Sequence, residues 1–369
     1  MVKVKKTIRC KIIRPTKLKS EQLNKEYSYL QDLLQLESLG LDFLPIYQSL
    51  KKKVYSANLQ QALRFYKKIK PNKEYPISFR KDLIEIKKTD NKLSKYWIKI
   101  PIKERRGGLK LAIKSQPFNF EDYEICESKL YKKKNWFIDI VVQKEVKLNN
   151  TYSSVLALDL GEKYVCCSVN SADISMKPTF WGKEVRGIRR KYNYIRKQLG
   201  KKKLLKKIKE IGQKEKRKVE DCLHKISTAI VKQAIINNSI IVLGNLKGIR
   251  KSAKGKGKRF NRIVNNMPNY KLTRMIEYKA NWNGISVMKV SEAYTSITCS
   301  KCGSKGKRPY QGLFKCLECG YKVNADFNGA KNILKRSLEY ISRDGAVMSQ
   351  PLTVPMSTEA SIFKGGGSC

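Results

Sequence analysis

Histidine is nearly missing from this chain: among 369 residues there is one, His224. A single imidazole excludes chemistries that need several, such as a histidine-metal nuclease, a serine-histidine triad or a multi-histidine metal centre. His224 itself, in DCLHKIS on a segment of helical spacing, reads as packed or solvated rather than catalytic. Negative charge is scarce as well, with 31 acidic side chains against 79 basic ones and a formal net charge of +48. Long apolar runs are also lacking, since stretches such as FIDIVV fall far short of the roughly 18 residues a membrane span needs. The opening MVKVKKTIRC is charged and has no apolar leader core, so the expectation is a reducing compartment in which the ten cysteines form no disulfides. That means cytoplasm or nucleoid in a prokaryotic host, and the nucleus in a eukaryotic or viral setting.

Positive charge is what the sequence has in excess. At 41% hydrophobic content the chain can build cores, and its length suits two or three domains, so the excess must sit on folded surfaces. Nucleic acid is then the expected partner, ahead of membranes and acidic proteins; a ribosomal-type protein that only packs against RNA is the plainer alternative. The charge is concentrated in residues 183–218, with 17 Lys or Arg against three acidic residues, a net +14. This stretch reads as a long helix or helical hairpin broken near Gly200 and Gly212. As a merely solvated face it would repel itself, whereas a phosphate backbone alongside turns repulsion into attraction. Arg186, Arg189, Arg190, Lys191, Arg196, Lys197, Lys201 and Lys202 are therefore candidate nucleic-acid contacts. A second set, Lys247, Arg250, Lys251, Lys254, Lys256, Lys258 and Arg259, lies in the glycine-interrupted loop around KSAKGKGKRF.

The hydropathy pattern divides the rest. Residues 1–19 alternate apolar and basic side chains in KVKKTIRCKII, a strand with one wet face. Residues 20–72 switch to helical spacing, with Leu30, Leu33, Leu34 and Leu36 in one stretch and Leu59 and Leu63 in another. Alternation returns over 73–148 in LIEIK, YWIKIPI, LKLAIK and NWFIDIVVQKEV, with a turn expected at Arg106-Gly107-Gly108. The first strand should pair into this antiparallel barrel or sheet, making the helical module an insertion. At Asn149-Asn150 the composition shifts, and 149–298 carries the near-continuous apolar strands SVLALDL, SIIVLGN and ISVMKVS of a buried α/β core, with a loop over 244–266. Residues 321–342 close that core, and 343–369 read as a flexible tail.

Between them, 299–320 holds the strongest local signal. Cys299-x-x-Cys302 and Cys316-x-x-Cys319 are 13 residues apart, each pair followed by glycine. Two such knuckles present four thiolates tetrahedrally, the arrangement Zn²⁺ prefers, and binding one ion can supply on the order of 10 kcal/mol of folding energy. The other six cysteines have no ligand spacing. Asp159, inside LALDLG, is costly unless it meets a cation or lies at the open end of its strand, and Asp326, in NADFNGAKNI, opens a helix.

In this order, LALDLGEKYVCCSV, IIVLGNLKGIR, YTSITCSKCG and FKCLECGYKVNADFNGAKNI resemble the TnpB family of transposon-encoded RNA-guided nucleases, which includes Fanzor proteins and is related to miniature type V CRISPR effectors. The resemblance covers 155–334 by motif and the amino-terminal half by architecture only. It implies a multidomain α+β chain: an N-terminal antiparallel wedge barrel with a helical insertion, then an RNase H-like (RuvC) α/β domain with an inserted four-cysteine zinc ribbon. It further implies a guide RNA of the omega-RNA type, a double-stranded DNA target, a monomer within the ribonucleoprotein, one structural Zn²⁺ and two catalytic Mg²⁺ held by Asp159 and Asp326. The sequence departs from the family where a glutamate is expected after the second strand, for here stand Gly244 and Asn245. In rearranged members a glutamate just before the YTS tripeptide takes over, which corresponds here to Glu292, 48 residues beyond Gly244. Two-metal hydrolysis needs several converging carboxylates, and Asp159, Glu292 and Asp326 would supply three. Glu162, Glu277 and Glu318 are poorer candidates. A chain that lost its third ligand would instead be a non-cleaving RNA-guided binder, and an accessory transposition protein without a guide is a third reading.

Overall fold

The computed structural model describes residues 1–115, 117–245, 257, 261 and 267–343. Lys247, Arg250, Lys251, Lys254, Lys256, Lys258, Arg259, most of the 244–266 loop and the tail beyond 343 lie outside the described residues. The chain divides into two compact units, one of Lys3–Glu145 and one running from Val146 onward together with Met1–Val2.

The first unit is an eight-stranded sheet with a helical insertion. Its strands are β1 (Val2–Ile12), β2 (Ile77–Phe79), β3 (Glu85–Asn91), β4 (Ser94–Ile102), β5 (Arg105–Lys114), β6 (Glu124–Ile125), β7 (Ser128–Lys132) and β8 (Trp136–Val146). They lie in the order β2-β7-β8-β1-β5-β4-β3, with β6 on β8, and β1–β5, β4–β5, β3–β4 and β7–β8 run antiparallel. The amino-terminal strand is thus central, as its alternating pattern requires: Val4, Ile8, Cys10 and Ile12 are buried on one face. The hydrogen-bonded order is open at β2 and β3, so the barrel expected from the sequence is observed as a sheet with two edges. The β4–β5 reversal also differs from expectation. Ile102 pairs with Arg105, so the chain turns at Lys103-Glu104, and Gly107 and Gly108 sit within β5 at φ +83° and +85° beside a register shift. Between β1 and β2 the insertion folds as α1 (Lys17–Ser38), α2 (Pro45–Lys53) and α3 (Ser56–Phe65). Glu26 of α1 is buried but fully used, accepting from the Tyr55 and Lys103 amides at 3.0 Å each and from Asn58 Nδ2 at 2.8 Å.

The second unit is built on a five-stranded mixed sheet, β9 (Ser154–Asp159), β10 (Cys166–Asn170), β11 (Thr179–Trp181), β12 (Ser239–Asn245) and β13 (Val287–Ser291), in the order β11-β10-β9-β12-β13. β9, β12 and β13 are mutually parallel, and β10 and β11 are antiparallel additions. Ser154 to Leu158 are all buried, so both faces of β9 are covered, which explains its unbroken apolar sequence. The helices are α4 (Lys183–Lys201), α5 (Leu205–Ile236), α6 (Asn269–Trp282) and α7 (Ala325–Arg343). α7 packs on β9, β10 and β12, while α5 packs on β12 and α6. The basic stretch is a hairpin of α4 and α5 that breaks after Lys201, near Gly200; Gly212, expected as a second break, lies inside α5. Apolar anchors at Val219, Leu223, Ile226 and Ile230 hold α5 to the core and carry the helix as one piece. Among the described residues no helix is long and apolar enough to cross a membrane.

A small three-stranded sheet, β14 (Gly306–Lys307), β15 (Leu313–Cys316) and β16 (Lys322–Asn324), leads into α7. It forms the four-cysteine ribbon around the buried ring of Phe314. Cys10, Cys126, Cys166 and Cys167 are buried, and no disulfide occurs among the described residues.

Candidate active site and metal ribbon

Parallel strands end together, so β9, β12 and β13 bring their carboxyl ends to one edge of the sheet. β12 lies between the other two: Leu243 pairs with Leu158 on one side, and Gly244 with Val290 on the other. Asp159 is the next residue of β9 and Glu292 follows the last residue of β13, so the two carboxylates flank the end of β12. The third arrives on α7. Asn324 caps that helix, its Oδ1 accepting from the Asp326 amide at 2.9 Å and the Phe327 amide at 3.3 Å, and Asp326 stands in the first turn. One turn on, a Cβ at Gly329 would come within 2.5 Å of Asp159 Oδ2, so glycine there lets α7 lie directly against that carboxylate.

Gly244 has the same function on the other side. A Cβ built on it would overlap the Glu292 carboxylate outright. Side chains at 244 and 292 therefore compete for one volume, and a side chain at 244 would move the Glu292 carboxylate out of the position it holds. At the position where the sequence departs from the family pattern, the space beside Gly244 is occupied by the Glu292 side chain.

The electrostatics of this cluster are those of a site awaiting a cation. Burial pushes the Asp159 carboxyl up to about 7, with Asp326 adding to the effect and Arg308 and the Leu160 amide opposing it. Burial likewise pushes Glu292 up to about 8, helped by the Asp159 charge. Asp326 is raised by burial against the pull of Arg308 and Lys163. Glu292 Oε1 and Asp326 Oδ2 are buried acceptors without a hydrogen-bond partner, a costly state for ionised oxygens unless a cation meets them. The carboxylates therefore fit divalent metal ligation. They are not drawn to single-ion spacing, and among the described residues the cysteine ribbon alone is.

In that ribbon the four Sγ atoms lie within 4.8 Å of one another, with Cys299–Cys319 at 3.8 Å and Cys302–Cys316 at 3.5 Å. A tetrahedral Zn²⁺ with Zn–S bonds near 2.3 Å sets its sulfurs about 3.8 Å apart, so the four cysteines fit one ion.

Of the expected nucleic-acid contacts, Arg190, Lys191, Lys197, Lys201 and Lys202 are exposed along α4 and its C-terminus. Arg186 and Arg196 are engaged instead: Arg186 pairs with Glu162 at 3.0 Å and donates to Gln311 at 3.2 Å, and Arg196 pairs with Glu215. Arg189 is largely buried, which lowers its pKa, and its Nε has no hydrogen-bond partner. Glu277 pairs with Lys289, Glu318 is exposed, and His224 is exposed on α5. Two groups of residues escaped the sequence reading. Arg308, between the knuckles, donates to the Ala325 carbonyl at 3.5 Å and lowers the pKa of Asp159 and Asp326 through its charge, and nothing in its local sequence distinguishes it from the surrounding lysines. Asn328, Asn332 and Arg336 form a polar stripe at i, i+4, i+8 along α7, a pattern that could have been noticed.

A four-cysteine ribbon walling a carboxylate cluster at the ends of parallel strands defines the class of α/β protein to which the chain belongs. Residues 270–333 match the Cas12f1-like TNB domain family. A TnpB-like protein of Methanocaldococcus jannaschii is 32% identical over 206 residues, covering 54% of this chain and 74% of that one. The CRISPR-associated endodeoxyribonuclease Cas12f2 of a Micrarchaeota archaeon is 30% identical over 242 residues, 61% of this chain; the match spans 44% of that longer protein. The fold resembles AacC2c1 in its ternary complex with sgRNA and extended non-target DNA, with a TM-score of 0.50, 9% identity, and coverage of 81% of this chain and 60% of that one. The chain is a member of the TnpB family.

Proposed function

We propose that this protein is an RNA-guided DNA endonuclease that cuts target DNA by metal-assisted phosphodiester hydrolysis at Asp159, Glu292 and Asp326, with the five-stranded sheet as its RuvC core and the eight-stranded sheet as its wedge. The observation that carries this reading is the reciprocal fit of Gly244 and Glu292. Glycine at 244 leaves the room that the Glu292 carboxylate occupies, so the carboxylate absent from β12 has a counterpart arriving from β13. Endonuclease names among the relatives support the same class.

Asp159, Glu292 and Asp326 are the residues that would hold two Mg²⁺ ions. When bound, such ions lower the pKa of an attacking water and neutralise charge on the leaving oxygen. Asp159 ends β9, Glu292 directly follows β13 on the far side of β12, and Asp326 stands in the first turn of α7, so the three carboxylates are placed by the sheet edge and the helix. Arg308 adds a fixed positive charge beside Asp159 and Asp326, suited to a phosphate drawn into the cluster. The exposed basic residues of α4 would grip the backbone of a guide–target duplex, leaving sequence to base pairing. One structural Zn²⁺ in the ribbon, a guide RNA and a double-stranded DNA target complete the working particle, with one copy of the chain.

Glu292→Gln is the direct test. In the ribonucleoprotein, guided cleavage of a matched plasmid should fall by about 10²-fold or more while target binding persists; unchanged cleavage would remove Glu292 from the site. Wild-type binding without cutting would favour the guided-binder reading.

A further inference from the structure

Glu292 stands on a short connection between β13 and the ribbon, where a carboxylate could swing through several rotamers unless its backbone is held. It is held from α7. Arg336 Nη1 donates to the carbonyl of Ser291 and, at 3.1 Å, to that of Ala293, so one guanidinium grips the peptide that precedes Glu292 and the one that follows Ala293. One turn back, Asn332 Nδ2 donates to the carbonyls of Thr295 at 2.8 Å and Thr298 at 2.7 Å. A further turn back, buried Asn328 donates to the Thr298 carbonyl at 2.7 Å and accepts from the Ser300 amide at 2.9 Å, inside the first cysteine knuckle. The Glu292 carbonyl is itself tied to Thr295 by its amide at 3.2 Å and its hydroxyl at 3.0 Å. The helix that contributes Asp326 therefore splints the whole stretch from Ser291 to Ser300.

We infer that Arg336 is a positioning residue for Glu292, and that the stripe Asn328-Asn332-Arg336 ties the geometry of the metal-binding carboxylates to the four-cysteine ribbon. Arg336 acts on the backbone that brackets Glu292, through the Ser291 and Ala293 carbonyls, and needs no contact with substrate or metal. Groups of this kind, one bond removed from the ligands, typically change metal affinity by about 10–100-fold when lost. The role rests on the proposed function of Glu292 as a ligand, and the experiment separates the two.

The test is Mn²⁺ binding, followed by electron paramagnetic resonance, to the full-length protein carrying its zinc. Arg336→Ala should weaken Mn²⁺ by about 10-fold or more. Zinc should stay at one per chain and the unfolding midpoint should move by less than about 3 °C, because the side chain is only partly buried. Arg336→Lys, with a single point donor instead of a fork, should recover part of the loss. Cleavage by Arg336→Ala should return at high Mg²⁺, as expected when affinity and not chemistry is damaged. Glu292→Gln serves as reference. If it weakens Mn²⁺ binding and Arg336→Ala stays within about twofold of wild type, the positioning role is wrong. If Glu292→Gln leaves Mn²⁺ binding untouched, the proposed metal site fails and the role of Arg336 with it.

Discussion

At the residue scale this protein turns on the exclusion between positions 244 and 292. Gly244→Ala adds one methyl group, ordinarily a mild change in a strand, but here that methyl overlaps the Glu292 carboxylate. Cleavage should fall by at least about 10-fold with little loss of fold, as judged by circular dichroism beside a plasmid-cutting assay. The double change Gly244→Glu with Glu292→Gly returns one carboxylate to the shared volume from the neighbouring strand, and should cut better than Gly244→Glu alone. Proton linkage belongs to the same scale. Asp159 and Glu292 have folded-state values of about 7 and 8, above their ordinary 3.8 and 4.5. The native state thus retains protons that the unfolded chain has released, so in the absence of divalent metal stability falls as pH rises from about 4 toward 8. Divalent metal competes with those protons, and its affinity should rise over the same window. Thermal melts of the zinc-loaded protein without added divalent metal and with Ca²⁺, at pH 6 and pH 8, check both: the gap between the two melts should be wider at pH 8.

At the scale of elements, two buried arrangements decide how pieces are held. In the inserted helices, Glu26 accepts three hydrogen bonds and joins α1 to the start of α3 and to the β4–β5 turn. Glu26→Ala strands two amides and one carboxamide in the interior, and urea denaturation should show a loss on the order of 3 kcal/mol in the amino-terminal unit. In the second unit the ribbon is tied to α7 through Arg308 at the Ala325 carbonyl and through Asn328 and Asn332 at Thr298 and Ser300. Removing zinc with a chelator, or changing Cys316 to Ser, should raise amide exchange through 296–324 and into the first turn of α7, and should weaken divalent binding at the carboxylates together with it. Exchange confined to the knuckles would mean the ribbon folds independently of the site.

Much at this scale was legible beforehand, and the misses have physical causes. Strand alternation in KVKKTIRCKII and the buried run SVLALD announced β1 and β9, because a side chain's face follows from its position in the strand. The break expected at Gly212 did not occur because tertiary packing outweighs the cost of about 1 kcal/mol for one glycine in a helix. The turn expected at Arg106-Gly107-Gly108 falls at Lys103-Glu104 because strand pairing, not local turn propensity, set the register.

At the scale of the whole molecule the net charge of +48 dominates. Nucleic-acid affinity should fall steeply with salt, and each phosphate contact removed should reduce the log–log slope by about one. Lys197→Ala and Arg190→Ala, on exposed positions of α4, should each show that reduction in duplex binding measured across a salt series. Arg196→Ala should show less of it and should cost stability instead, because that guanidinium is already paired with Glu215.

By itself the sequence determined the charge, the two kinds of unit and the four-cysteine ribbon, since each depends on composition or on spacing along the chain, and it singled out Asp159 and Asp326 as candidates. What it left open was the third carboxylate. Whether Gly244 marked a lost ligand or a relocated one depends on which atoms share a volume across neighbouring strands 48 residues apart. Only the parallel register of β12 and β13 brings Glu292 into the space that a side chain at 244 would occupy, and only the packing of α7 brings in Asn332 and Arg336, because contacts between distant segments are made by the fold and leave no periodic trace in the chain.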